Sequence, residues 1–168
     1  VAILTDSTAY LPQALLAQFQ IGVVPLKVIW GEESLDDGVD ISPQEFYNRL
    51  PASTRMPTTS QVTVGEFQSR FEQYHAQGQE VLAVLISSGI SGTIDSAHQA
   101  RALLPQARIE IVDSLCTTLQ LGFLVLAGAR CASRGGSLAD CKQAVLQARA
   151  NSGVVFGVDT LEYLHRGG

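Results

Sequence analysis

The chain has 168 residues, 46% of them hydrophobic and only 16% charged, which excludes a disordered segment and is enough for one domain with a sizeable core. A net charge of −5 and only 11 Lys and Arg, scattered along the chain, exclude a nucleic-acid-binding surface, which needs clustered cations. Cys116, Cys131 and Cys141 show neither CxxC pairing nor zinc spacing, so they read as reduced, mostly buried thiols in a cytoplasmic protein.

Val1 to Thr5 is a short apolar run ending in Thr5-Asp6-Ser7-Thr8, a strand followed by a polar turn. Asp6 interrupts it and no basic stretch precedes, so it does not read as a signal peptide. Pro12 opens a helix over Gln13 to Phe19, with Leu11, Leu15, Leu16 and Phe19 at helical spacing. A second strand is expected over Val23 to Trp30, with Pro25 near its start, followed by a turn at Gly31-Glu32-Glu33 and a loop from Asp36 to Ile41. Ser42-Pro43-Gln44-Glu45 is a capping box that starts a helix running to about Leu50.

Pro51 to Gln61 reads as an irregular polar loop. Thr63 and Glu66 form a second capping box, for a helix over Val64 to Ala76 whose core stripe is Phe67, Phe71 and Tyr74. Val81 to Ile86 is a continuous apolar run bounded by turn residues, the signature of a buried parallel strand. The loop Ser87-Ser88-Gly89-Ile90-Ser91-Gly92-Thr93 leads into a helix over Ile94 to Leu104. Arg108 to Val112 is a further strand, ending in Asp113-Ser114. Helices are expected over Thr117 to Ser133, stopped by Gly135-Gly136, and over Leu138 to Ala150, capped by Ser137. The apolar stretch Leu121 to Ala129 inside the first is too short to span a bilayer and reads as buried helix. A last strand is expected over Val154 to Val158, leading to Asp159-Thr160 and the segment Leu161 to Arg166. Alternating strands and helices make this an α/β fold with a largely parallel sheet.

Ligands of open parallel sheets bind at the carboxyl ends of the strands. Those ends are Asp6-Ser7-Thr8, Ser87 to Ser91, Asp113-Ser114 and Asp159-Thr160, and the Thr58-Thr59-Ser60-Gln61 loop could join the same edge. The first turn of a helix offers unpaired amide donors and the positive end of its dipole, so hydroxyls placed there form a receptor for an anion. Ser and Thr before a helix are also ordinary caps, and on the loop alone both readings stay open. The edge has no Lys, no GxxxxGK[ST] loop and no GxGxxG fingerprint. Neutral donors of this kind suit a single carboxylate better than a polyphosphate.

Catalytic constellations are missing. Gly89-Ile90-Ser91-Gly92 approaches a nucleophile elbow, but Thr93 stands where a Gly is required. His75 and His98 fall on solvent faces of helices and His165 sits near the chain end, so neither a triad nor a metal site is expected, and no cofactor. Leu26, Ile29, Ile90 and Phe123 read as ordinary core.

Thr5-Asp6-Ser7, Val24-Pro25-Leu26, Pro57 to Gln61, Ile86 to Thr93 with Ser96-Ala97, Val112 to Ser114 and Asp159 to Leu164 up to Gly167-Gly168 come in one order. This series resembles the DegV family of bacterial fatty-acid-binding proteins, the lipid-presenting subunits of fatty-acid kinase. The resemblance implies a three-layer α/β/α arrangement with a mainly parallel sheet, the N-terminal part of a two-domain fold that encloses a long-chain fatty acid in an apolar tunnel. It implies that Thr59 and Ser91 hold the carboxylate, with Thr58, Ser88, Gly92 and Thr93 nearby and Asp6, Ser7, Ser60, Asp113 and Ser114 in support. A separate ATP-dependent fatty-acid kinase subunit would then make the acyl phosphate, and the resemblance allows transient contact with a membrane surface. Residues 1–168 would be the N-terminal α/β region, without the C-terminal part of the family fold; a start at Val1 and an end at Gly167-Gly168 read as a fragment. Two other classes stay open, an enzyme of dihydroxyacetone-kinase-like architecture and an interaction domain without lipid.

Overall fold

Two runs with no exposed position, Ala2–Asp6 (β1) and Val81–Leu85 (β6), lie side by side at the centre of a four-stranded parallel sheet. A strand covered on both faces must be apolar almost throughout, which is why these two read so plainly. The computed structural model describes residues 1–155, 157–162 and 165. It divides into two compact units, Val1–Val24 with Gln61–Gly153, and Pro25–Ser60 with Val154–Gly168.

In the first unit the strand order is β2-β1-β6-β7, where β2 is Gly22–Val24 and β7 is Ile109–Asp113. The register sets Ile3 beside Leu82 and Val84 beside Val112, which puts these four side chains on one face. Against them pack Leu121, Leu124, Val125 and Ala129 of α5 (Thr118–Ser133) with Cys141 and Val145 of α6 (Leu138–Ala150). α1 (Gln13–Phe19) lies beside α5. The other face carries α3 (Val64–Ala76), whose Phe67 and Phe71 are fully buried and whose Tyr74 hydroxyl lies against Gly22, packed against α4 (Thr93–Ala102). The result is the expected α/β/α layering around a parallel sheet.

Local chemistry accounts for the helix ends. Thr63 with Glu66 and Ser137 with Asp140 form complete capping boxes at the starts of α3 and α6. α5 ends in a Schellman turn: Gly135 sits at φ +82°, its N–H bonds Ala132 O, and the Gly136 N–H bonds Cys131 O.

The second unit holds an antiparallel sheet of order β4-β3-β5, with β3 at Lys27–Trp30, β4 at Glu33–Asp36 and β5 at Thr58–Ser60. Its small core is Val28, Trp30 and Ile41, backed by Leu35, Phe46 and Leu50. α2 (Pro43–Arg49) begins with the Ser42–Glu45 capping box and is extended by a 3₁₀ turn at Leu50–Ala52. The Arg49 guanidinium lies 4.2 Å from the Trp30 ring centre, and Trp30 Nε1 donates to Ser53 Oγ at 2.9 Å.

Four expectations need correction. Val23 to Trp30 is two strands, not one: Pro25 has no N–H to give a ladder, and the chain leaves the parallel sheet there and enters the antiparallel one at Lys27. Glu33 to Asp36, expected as turn and loop, is β4, paired with β3 from Lys27–Asp36 to Trp30–Glu33. Part of the expected irregular loop, Thr58 to Ser60, is β5. The strand expected over Val154 to Val158 is absent from its described residues, and the exposure of Val155 is 100%. Phe156, Tyr163, Leu164, Arg166, Gly167 and Gly168 lie outside the described residues.

Candidate functional site

Asp6 closes β1 and is fully buried. Its Oδ1 accepts from Thr8 N at 3.0 Å and from Thr8 Oγ1 at 2.6 Å, and its Oδ2 accepts from Ile86 N at 2.7 Å. Asp6 therefore clamps the carboxyl ends of β1 and β6 together and turns the chain into the 3₁₀ segment Ser7–Ala9. Burial raises its carboxyl above the usual range, against the lowering effect of those hydrogen bonds. Beside it, Thr5 Oγ1 is buried without a hydrogen-bond partner.

The loop after β6 is a tight coil. Ser87 O accepts from Ile90 N at 3.0 Å and Ser91 N at 3.1 Å, and Ser87 Oγ accepts from Gly89 N at 3.1 Å. Ser88 is exposed, and its N–H donates to Asp113 Oδ1 at 3.2 Å. The same oxygen accepts from Leu115 N at 3.0 Å, so Asp113 binds the loop after β6 to the one after β7. Ser114 is buried and folds its own turn, with Oγ donating to Cys116 O at 3.0 Å and accepting from Cys116 N at 3.2 Å.

At the start of α4 the N-cap is Gly92, and no side chain caps it. First-turn amides of a helix lack intrahelical acceptors, so this end presents donors and the positive pole of the dipole. The hydroxyls of Ser91 and Thr93 lie 2.9 Å apart, and Thr93 N donates to Ser91 Oγ at 3.3 Å. Thr93 Oγ1 also accepts from Val62 N at 3.4 Å, which anchors the buried Thr93 and leaves Ser91 half-buried at the rim. Chemically the arrangement gathers neutral donors at the positive end of a helix dipole, with the Ser91 and Thr93 hydroxyls sharing one hydrogen bond.

Sequence reasoning passed over one residue here, although it lies inside the Thr58 to Gln61 motif. Gln61 Nε2 donates to Ser96 Oγ at 3.1 Å, and the Gln61 side chain lies against Gly92 so closely that any Cβ at 92 would collide with its amide. The glycine is needed for this approach, not for its dihedral angles.

Ser88, Ser91, Gly92, Thr93, Asp6, Ser7, Asp113 and Ser114 thus gather at the carboxyl edge of the parallel sheet in the first unit. Thr58, Thr59 and Ser60 belong to the second unit, where they form the exposed edge strand β5 against Lys27 to Ile29. Ile90 and Phe123, expected in the core, are 63% and 65% exposed. Ile90 sits on the tip of the coil. Phe123 shares an exposed face of α5 with Leu119, four residues earlier, while the buried face of that helix is filled by Leu121, Leu124 and Val125. Leu26 is buried as expected. His75, His98 and His165 are exposed, and among the described residues no three His, Cys, Asp or Glu gather as a metal would require.

Fold and site together define a three-layer α/β protein with a hydroxyl-lined, uncapped helix start at its sheet edge. The family model described as "Uncharacterised protein, DegV family" matches residues 1–168. A DegV domain-containing protein of Caldanaerobacter subterraneus is 39% identical over 168 residues, which are 100% of this chain and 60% of that protein. A solved DegV family protein from Thermus thermophilus, described for its fatty acid binding, superposes with a TM-score of 0.90 at 32% identity, over 99% of this chain and 59% of its own. DegV of Bacillus subtilis, described as a fatty acid binding protein, gives 0.82 at 32% identity, over 89% and 53%. The chain belongs to the DegV family, and it spans about 60% of the length of such curated relatives. Among its described residues no helix is long and apolar enough to cross a membrane.

Proposed function

We propose that this protein binds a long-chain fatty acid in the cytoplasm, with Ser91 and Thr59 holding the carboxylate and Thr58, Ser88, Gly92 and Thr93 completing the receptor. The observation that carries this reading is the uncapped start of α4, with the Ser91 and Thr93 hydroxyls 2.9 Å apart beside it. Asp6, Asp113 and Ser114 act as positioning residues, since their oxygens are engaged by backbone amides of the loops they hold. Ser7, next after Asp6 in the 3₁₀ turn, and Ser60, at the end of β5, are taken as supporting residues. Two solved relatives described as binding fatty acids, both at 32% identity, support the ligand class. The full pocket belongs to the longer family fold, of which we take these residues as the N-terminal α/β region.

The energetics suit such a ligand. Each buried methylene contributes about 0.8 kcal/mol, so a sixteen-carbon tail contributes roughly 12 kcal/mol before the costs of association. A hydrogen bond from a neutral donor to a charged group contributes about 1.5–3 kcal/mol. Tail burial sets affinity, and the hydroxyls set head-group choice. Exposed Ile90, Leu119 and Phe123 are apolar surface for tail contact near the loops that hold the head. A separate ATP-dependent kinase subunit acts on the presented carboxylate, and this chain itself performs no catalysis.

Ser91→Ala tests the assignment. Fatty-acid affinity of the full-length protein falls by about tenfold, the loss of roughly 1.5 kcal/mol, while affinity for the alcohol of the same chain length changes little. Equal losses for acid and alcohol, or no loss for either, would show that Ser91 does not read the carboxylate.

A further inference from the structure

Two of the three cysteines meet on one residue of the α5–α6 hairpin. Cys131 sits three positions before the α5 cap, where the Schellman turn bonds its carbonyl to Gly136 N at 3.1 Å. An ideal Cβ built on Gly136 would stand 2.5 Å from Cys131 Sγ, so that sulfur lies directly against Gly136. Cys141, in the second turn of α6, points its thiol at the carbonyl of the same glycine, with Sγ 3.7 Å from Gly136 O. Gly136 is thus flanked by both sulfurs. Cys141 is fully buried between α6 and the sheet, whereas Cys131 is only partly buried. Both sulfurs thus reach one residue of the turn, and a disulfide between them requires Cα atoms about 4.4–6.8 Å apart.

We propose that Cys131 and Cys141 form a dithiol that a disulfide oxidant such as oxidised glutathione converts to an intramolecular disulfide across the α5–α6 turn. The partly exposed Cys131 reacts first: it gives its proton to solvent, its thiolate attacks one sulfur of the oxidant, the S–S bond breaks, and the other sulfur leaves as glutathione thiolate, so that a mixed disulfide forms at Cys131. Cys141 then gives its proton to solvent, and its thiolate attacks Cys131 Sγ. The second glutathione leaves as thiolate, so two protein thiols are oxidised and one oxidant molecule is reduced to two glutathiones. In the reduced pair, burial and the adjacent Cys131 thiol push Cys141 up to about 11; burial persists in the mixed disulfide and keeps the second step slow at neutral pH and faster as pH rises. Cys116 takes no part, being buried in the β7–α5 turn beside Ser114.

Peptide mapping of the folded protein after oxidised glutathione and an alkylation quench tests this. Trypsin separates Cys131–Arg134 from Gly135–Lys142. The expected product is these two peptides linked and lighter by two hydrogens, with Cys116 alkylated. Formation of the link should quicken roughly tenfold per pH unit between about pH 7 and about pH 9, following the thiolate fraction. In Cys141→Ser the glutathione should remain on Cys131. A stable mixed disulfide on Cys131 in the unmutated protein, or no reaction at either thiol, would overturn the proposal.

Discussion

Asp6 is the residue on which the edge of the sheet depends, because each of its oxygens accepts a backbone N–H, from Thr8 and from Ile86, and so ties β1 to the end of β6. Asp6→Asn keeps the size but turns an amide NH₂ against one of those donors, and the penalty for an unpaired buried group is about 1–3 kcal/mol. Burial raises the Asp6 carboxyl in the folded chain, so the folded state holds this proton more tightly than the unfolded one. Its contribution is therefore fully present below the unfolded value, near about pH 4, and declines as pH rises through the folded value. The stability gap between the natural protein and Asp6→Asn, measured by urea unfolding, should be widest in acid and narrow toward neutral pH. A gap that widens with pH would mean that the hydrogen bonds, not burial, dominate this carboxyl.

At the scale of elements, the helix starts are the strongest local signals in the chain. Ser137 accepts from Asp140 N at 3.2 Å, and its Oγ donates to Asp140 Oδ2 at 2.6 Å. Ser137→Ala should cost about 1 kcal/mol, read as a lower urea midpoint. Asp140 is lowered by its bonds to Ser137, so this part of the cap is present above the unfolded value and lost as pH falls through the folded one. The effect of Ser137→Ala should accordingly shrink in acid, and an effect independent of pH would separate the cap from the carboxylate. Signals of this kind made α3 and α6 legible to the residue, and the double-sided burial of β6 made the central strand legible as well. The antiparallel sheet was not legible, because β4 (Glu-Ser-Leu-Asp) and β5 (Thr-Thr-Ser) are short, mostly polar strands held by pairing with β3 rather than by burial. Ile90 and Phe123 were misread for a related reason. Apolar type alone does not tell which face of α5 or which side of a loop a residue takes, and a binding surface is where apolar residues stand outside the core. Gln61 was overlooked because its role, lying over Gly92, links residues thirty-one positions apart through space.

For the whole molecule, net charge and chemistry pull in different directions: a chain of formal charge −5 is proposed to hold an anion. Locally, neutral hydroxyls and a helix dipole at the start of α4 stand in place of Lys or Arg. Such a site discriminates a carboxylate from a neutral head group without the long-range attraction that would gather nucleotides or phosphates. Because the chain spans about 60% of its relatives' length, the decisive sample is the full-length protein. Native mass spectrometry of that protein, followed by organic extraction and lipid analysis, tests the account most directly. It predicts one long-chain fatty acid per chain, lost or reduced in Ser91→Ala. Full-length protein that is folded, empty, and still unable to take up added fatty acid would contradict it.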